Sequence, residues 1–312
     1  MKRRGLVLVA VIVVLAAGCS SDDGSEGAGG AERSSTTRAE ATTSTTEAAP
    51  EPLEDQTAPA SVNGLTVQGD TIWITSIEDD QIVQIDRQSG AILQRFDTAG
   101  AGPDDVDVAP DGSVWSTGFT NGDVGRIADG EYEVVKTLVP GINPIAVADD
   151  GLVWIGTYGP EGSLYRIDPP NVAQSGPAPK TLGSMPDINA FGILDDGRIV
   201  APAGGIAGPG SVVVWNPEDG GLSTVADGLP PVAAGTVDDQ GDAYVLANIT
   251  GEVFAVDVDA GTTKVIQTVE KGAPFDNLAF AADGTLYLSS FVTPTITEVQ
   301  PDGTERVITI GS

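Results

Sequence analysis

The chain has 312 residues, with 15 Lys and Arg against 45 Asp and Glu, a formal charge of -30 and no histidine. That balance opposes binding to nucleic acid or anionic lipid headgroups, because phosphate contacts need Lys and Arg, and the missing imidazole removes the commonest general base and metal-binding nitrogen. A single cysteine, Cys19, excludes an intrachain disulfide, and 40 glycines beside four tryptophans suit many short strands joined by tight turns.

The chain opens with a basic cluster, Lys2, Arg3 and Arg4, then an apolar run from Gly5 to Ala17 that is too short to span a membrane comfortably. Leu15-Ala16-Ala17-Gly18-Cys19 follows as a small-residue processing site. It resembles the bacterial lipobox, with the preferred Leu one place early. That resemblance implies residues 1–18 as a lipoprotein signal peptide and acylation of Cys19 as the mature N-terminus. A plain secretory leader or a short membrane anchor is the other reading. With the lipobox, the protein is expected on the extracytoplasmic face of the cell membrane, held there through lipid alone. Residues 19–59 are mostly Ser, Thr, Ala, Gly and Glu, too poor in large apolar side chains to offset ordering entropy, and so read as a flexible tether.

From residue 60 to 312 one pattern recurs. A polar pair precedes a short apolar run, a turn rich in Asp and Gly, a second run carrying an aromatic, and small residues. The pairs are Val62-Asn63, Asp104-Asp105, Asn143-Pro144, Asn189-Ala190, Ala233-Ala234 and Asp276-Asn277, at spacings of 42, 39, 46, 44 and 43. A period in the forties is what one four-stranded propeller blade consumes, so an all-β fold of six antiparallel blades is expected.

In the first copy the strands fall at 64–68, 71–76, 81–86 and 92–97, and the third strand reads as IVQID, VGRI, LYRID, VVVWN, VFAVD and ITEV through the repeats. Trp73, Trp115, Trp154, Tyr244 and Tyr287 share one equivalent position, with Val200 in the fourth copy, and are expected between blades. Asp111-Gly112, Asp149-Asp150-Gly151, Asp195-Asp196-Gly197 and Asp283-Gly284 are read as hairpin turns, where Asp bonds its own backbone and Gly supplies positive φ. In this phase the last blade needs no strand from the N-terminus.

Inner strands line the channel of a propeller, so the residues entering them converge on its axis. Asn63, Asp104 or Asp105, Asn143, Asn189 and Asp276 or Asn277 would form a ring of hard oxygen donors, which suits calcium. The alternative is that these residues only start strands by capping loops.

Six copies, together with the entry motifs PDDVDVAPDG and FDNLAFAADG, make residues 60–312 resemble the senescence marker protein, gluconolactonase and paraoxonase superfamily of calcium-dependent propellers. Single repeats are also similar to virginiamycin B lyase and NHL-type propellers. The superfamily implies a central calcium held by a first-blade acid, middle-blade asparagines and a late aspartate, polarising a lactone carbonyl and water. Asp276 and Asn277 match the late motif, and Asn143 or Asn189 the middle asparagines. Asn63 stands where the first-blade acid would be, leaving Asp104 or Asp105 to compensate. The lyase's catalytic histidine has no counterpart. Two functions follow. One is a monomeric binding propeller taking a small molecule, cell-wall component or protein at its mouth. The other is a calcium-dependent lactone or ester hydrolase with Asp276 as ligand and base.

Overall fold

A computed structural model describes residues 50–159, 162–169, 180–184, 187–205, 208–270 and 274–311. Within them lie six four-stranded antiparallel sheets, each running in chain order from inner to outer strand. The first blade is β1 (Leu65–Gln68), β2 (Thr71–Ser76), β3 (Gln81–Asp86) and β4 (Ile92–Asp97). The second runs from β5 (Pro103–Val108) to β8 (Glu131–Thr137), the third from β9 (Ile142–Val147) to β12 (Lys180–Ser184), and the fourth from β13 (Gly192–Ile193) to β16 (Leu222–Leu229). The fifth spans β17 (Val232–Val237) to β20 (Thr262–Thr268) and the sixth β21 (Leu278–Phe280) to β24 (Glu305–Thr309). The expected six-bladed propeller is the fold observed. The expected boundaries of β2, β3 and β4 match to the residue, because alternating burial along a strand is legible in its side chains.

The aromatics occupy one register position. Trp73 pairs with Thr66, Trp115 with Asp107, Trp154 with Ala146, Tyr244 with Thr236 and Tyr287 with Ala279, while Val200 pairs with Gly192. They pack between blades, as expected: Trp73 lies with Phe96 of its own blade and with Val106, Val114 and Ile127 of the next. The turns also behave as expected, since Asp111, Asp150, Asp196 and Asp283 each accept the N–H two residues on at 2.9–3.0 Å.

The first hairpin departs from the others. Gln68 pairs with Thr71 across only Gly69 and Asp70, with Gly69 at φ 58°. In the second blade three residues, 110–112, separate Ala109 from Ser113, whose carbonyl Ala109 N–H meets at 2.8 Å. Counting back from the aromatic therefore slips blade 1 by one residue. The first-blade pair is Asn63-Gly64, and the equivalent entry positions are 63, 104, 143, 189, 233 and 276. The spacing from the first to the second blade is 41, not 42.

Closure uses no borrowed strand. Val62, Ile72 and Ile85 of the first blade share a buried cluster with Tyr287, Ile296 and Ile308 of the sixth. Arg87 donates to the Tyr287 hydroxyl at 2.5 Å and pairs with Asp283, and Arg306 donates to the Gln88 carbonyl at 2.6 Å. The compact unit begins ahead of the end assigned to the tether from composition. Leu53 N–H meets the Ile92 carbonyl at 2.8 Å, and the Gln56 amide both donates to that carbonyl and accepts from Ile92 N–H. This segment thus lies on the outer strand of blade 1, not in the sixth sheet. The lipobox and Cys19 lie outside the described residues.

Candidate functional site

Three inner strands are entered through a residue whose backbone is held from the neighbouring blade. The Thr75 hydroxyl accepts Gly64 N–H at 2.7 Å and donates to the Asp104 carbonyl. Thr117 accepts Asp105 N–H at 3.1 Å and donates to the Asn143 carbonyl at 2.6 Å. Ser289 accepts Asn277 N–H at 3.0 Å and donates to the Asn63 carbonyl at 2.6 Å. One hydroxyl therefore stitches blade six to one, one to two, and two to three. The equivalent positions in the other blades are Gly156, Pro202 and Leu246. Sequence reasoning missed these three residues. Their signal was a Ser or Thr two places after the aromatic.

Entry residues from five blades come together. Asn143 Nδ2 donates to Asn189 Oδ1 at 2.9 Å, and Asn189 Nδ2 donates to Asp276 Oδ1 at 3.0 Å. The Asn63 side chain lies close enough to the Asp276 carboxylate to favour its charged form, and Asp104 lies near enough to Asp276 for their charges to repel. Asn189 of the fourth blade thus reaches Asp276 of the sixth past Ala233, which supplies no polar group. Four of the five, Asn63, Asp104, Asn143 and Asp276, are only 5–9% exposed, and Asn189 is half-buried. Five of the seven expected ring residues thus gather in one cluster, and Asp105 and Asn277 are not part of it.

Those two residues lie one step inward along the channel, where Asn277 Nδ2 donates to Asp105 Oδ1 at 3.3 Å. Asp105 also accepts Ile145 N–H at 3.3 Å, and Asp107 accepts Val147 N–H at 2.7 Å. The two second-blade acids therefore satisfy the free edge of β9, which would otherwise present unpaired donors to the channel. Gly64 completes this layer: a Cβ there would stand 2.6 Å from the Asp104 carbonyl and 2.7 Å from Asp105 Oδ1, so the first blade has no room for a side chain.

Electrostatics set the cluster apart from the surface acids. Burial pushes the Asp276 carboxyl up to about 7, against the lowering hydrogen bonds from Asn189 and Asn63. Asp104 is raised well above the usual carboxylate range, first by burial and then by the charges of Asp276 and Asp105. Asp105 is raised by burial, and Asp107 reaches about 6 for the same reason. In contrast, the exposed turn residue Asp283 is lowered to about 2 by its hydrogen bond with Arg87.

The donor set suits a hard cation. No described residue donates a hydrogen bond to the Asp104 carboxylate, and no described Lys or Arg is paired with it or with Asp276. An ion here would find the carboxylates of Asp104 and Asp276 and the Asn143 side-chain oxygen, with Asn189 Oδ1 reached only by giving up its bond from Asn143 Nδ2. The Asn63 oxygen is already engaged by Ile77 N–H and the Ser61 hydroxyl, each at 3.2 Å. Among the described residues no three or more acids gather as a metal site, so the ring has two carboxylates and relies on amides for the rest.

No protein-family model matches the chain, and no curated protein matches it. Solved structures do. Virginiamycin B lyase from Staphylococcus aureus superposes with a TM-score of 0.59 at 15% identity, over 80% of this chain and 85% of that one. A gluconolactonase from Xanthomonas campestris gives 0.59 at 15% identity, over 77% and 85%. Regucalcin from Agrobacterium tumefaciens, described as a calcium-binding protein, gives 0.59 at 17% identity, over 82% and 92%. The chain is thus similar in fold to the gluconolactonase, regucalcin and virginiamycin B lyase propellers, as its repeats implied.

Proposed function

We propose that this is an exported, lipid-anchored propeller that holds a divalent cation, calcium by donor type, in the ring of Asp104, Asn143, Asn189 and Asp276. Through that ion it binds a small oxygen-bearing ligand, whether a free molecule, a cell-wall component or part of a protein. The observation that carries this reading is the pair of desolvated carboxylates, Asp104 and Asp276, left without a cationic partner. Two such groups cannot both ionise cheaply, and a bound cation removes that cost.

A second reading, calcium-dependent hydrolysis of lactones or related esters, is favoured by the likeness to gluconolactonase and calcium-binding regucalcin folds. Bound calcium supplies Lewis-acid polarisation of a carbonyl oxygen. With no histidine in the chain, proton transfer would fall to a ring carboxylate, Asp276. Asn189, hydrogen-bonded to Asp276 Oδ1, would orient that carboxylate.

Calcium titration of chelator-treated protein tests both readings. A ligand held only by the folded state stabilises by about 2.7 kcal/mol at a hundredfold excess over Kd, so a rise of several degrees in Tm is expected. Asp276→Asn should remove most of it, whereas Asp283→Asn, at a hairpin turn, should keep it. No rise, or equal rises in both variants, would leave the ring as loop capping. Turnover of a lactone and arylester panel that vanishes in Asp276→Asn would select the hydrolase, and calcium binding without turnover would select the binding propeller.

The anchor has its own test. Cys19→Ser should move the folded protein from the membrane to the soluble fraction, since that sulfur carries the proposed lipid. Persistent membrane retention would overturn the lipid-anchor reading.

A further inference from the structure

The end of the channel away from the ring is chemically different. A cavity of about 720 Å³ runs from Asp105 and Asn277 out to the first hairpin turns. One residue per blade forms a belt around it: Val67, Val108, Val147, Ile193, Val237 and Phe280. They are structurally equivalent, each following the partner of the aromatic position, and all six are half-buried. Each packs back against an interblade core, Val67 on the cluster shared by the first and sixth blades and Val108 on that of the first and second. The remaining surface of each faces the channel.

Outside the belt the rim carries Asp149, Asp150, Asp195, Asp238 and Asp239. No described Lys or Arg lines the cavity at any depth. Asp238 is occupied with the N–H groups of Gln240 and Asp242 and the Tyr244 hydroxyl, and Asp150 with Leu152 N–H. Asp149, Asp195 and Asp239 are exposed and free of such turn bonds among the described residues. A channel filled only with water has no need of six large apolar side chains at one level, and leaving them wet is unfavourable. The exposed lining is more polar than apolar, with the six belt side chains as its one apolar level, and a concavity of several hundred cubic ångströms in which polar groups converge on an apolar level can hold a small molecule.

We propose that this cavity is a second site, separate from the ring, for an organic cation with an apolar body. The body displaces water from the belt and the ammonium meets the acidic rim, where a cleft of one sign concentrates the opposite charge. Anions of the same shape are repelled by the same rim. The inference does not depend on calcium or on catalysis, and stands or falls apart from them.

Isothermal titration of the full chain with phenyltrimethylammonium, tetramethylammonium and phenylacetate tests it. Phenyltrimethylammonium should bind in the micromolar to low millimolar range, tetramethylammonium at least about tenfold more weakly, and phenylacetate without detectable heat. Replacing the three free rim acids together, Asp149→Asn, Asp195→Asn and Asp239→Asn, should weaken binding about tenfold; the sites are exposed turns, so folding is preserved. Ile193→Ala with Val237→Ala should weaken phenyltrimethylammonium but not tetramethylammonium. Asp276→Asn should leave both unchanged. Equal binding of the anion, an affinity indifferent to the rim and belt variants, or loss of binding in Asp276→Asn would each overturn the proposal, as would no binding at ten millimolar.

Discussion

Stripped of divalent cations, the protein should melt at a higher temperature at pH 5 than at pH 8. Four channel carboxylates, Asp104, Asp105, Asp107 and Asp276, are raised above the ordinary carboxylate range by burial, Asp107 to about 6 and Asp276 to about 7. A carboxyl raised in the folded state binds its proton more tightly there than in the unfolded chain. Its contribution is fully present below about pH 4 and is lost as pH rises through the folded value, so stability falls between about pH 4 and pH 8. This is the reverse of the common case, in which paired carboxylates lose stability towards acid. Each tenfold gain in proton affinity on folding is worth about 1.4 kcal/mol, and the four groups repel one another as they ionise, so the total is on the order of several kcal/mol. Asp283, held near 2 by Arg87, loses its contribution only well below this window. General repulsion at a charge of -30 also eases towards acid, and a double variant separates the two causes. Asp104→Asn with Asp276→Asn should flatten the part of the slope that the ring supplies, leaving that of Asp105 and Asp107, as should saturating calcium in the parent protein. A chelated parent that melts higher at pH 8, or a double variant with the parent's slope, would show that the ring ionises without cost.

Trp115→Ala should be the most damaging single truncation between blades. The indole is 2% exposed and packs on Ile142, Ile145, Val153 and Ile155 of the third blade, so its removal opens the seam between two sheets. Its N–H donates to the Ser113 hydroxyl at 3.1 Å, and the Arg126 guanidinium lies 5.7 Å above the ring, so polar partners are stranded as well. Truncating a buried tryptophan costs about 3–5 kcal/mol, which for a chain of this size lowers Tm by roughly 10 °C. Ile249→Ala, at a side chain 61% exposed, should change Tm by less than about 2 °C. Thermal denaturation of both at one pH and calcium concentration checks the contrast. A Trp115→Ala protein within about 3 °C of the parent would mean that the interblade seam repacks around the loss.

The repeat was legible because each blade rebuilds the same hairpin from local chemistry. Asp at 111, 196 and 283 bonds its own turn wherever it occurs, and the aromatic beyond the turn is buried whichever neighbour covers it. Those are short-range constraints, and they recover strand boundaries without knowledge of the whole. The same locality produced the slip in blade 1. A turn one residue shorter moves Asn63 into line with Asp104, and only the pairing of Thr66 with Trp73 reveals it.

By itself the sequence determined the number of blades, the strand order, the aromatic layer between sheets and, in every blade but the first, the pair of residues that enters the inner strand. Tertiary structure alone decided which of the entry acids face one another. Asp104 joins Asp276 while its neighbour Asp105 turns to the Ile145 N–H and Asn277, because successive side chains on a strand point to opposite sides and the closing of the ring assigns each side a different surrounding. Likewise Val67, Val108, Val147, Ile193, Val237 and Phe280 read as ordinary core positions. They became a belt only when six sheets closed around an axis and left part of each side chain on the channel, since burial belongs to the assembled ring and not to any single hairpin.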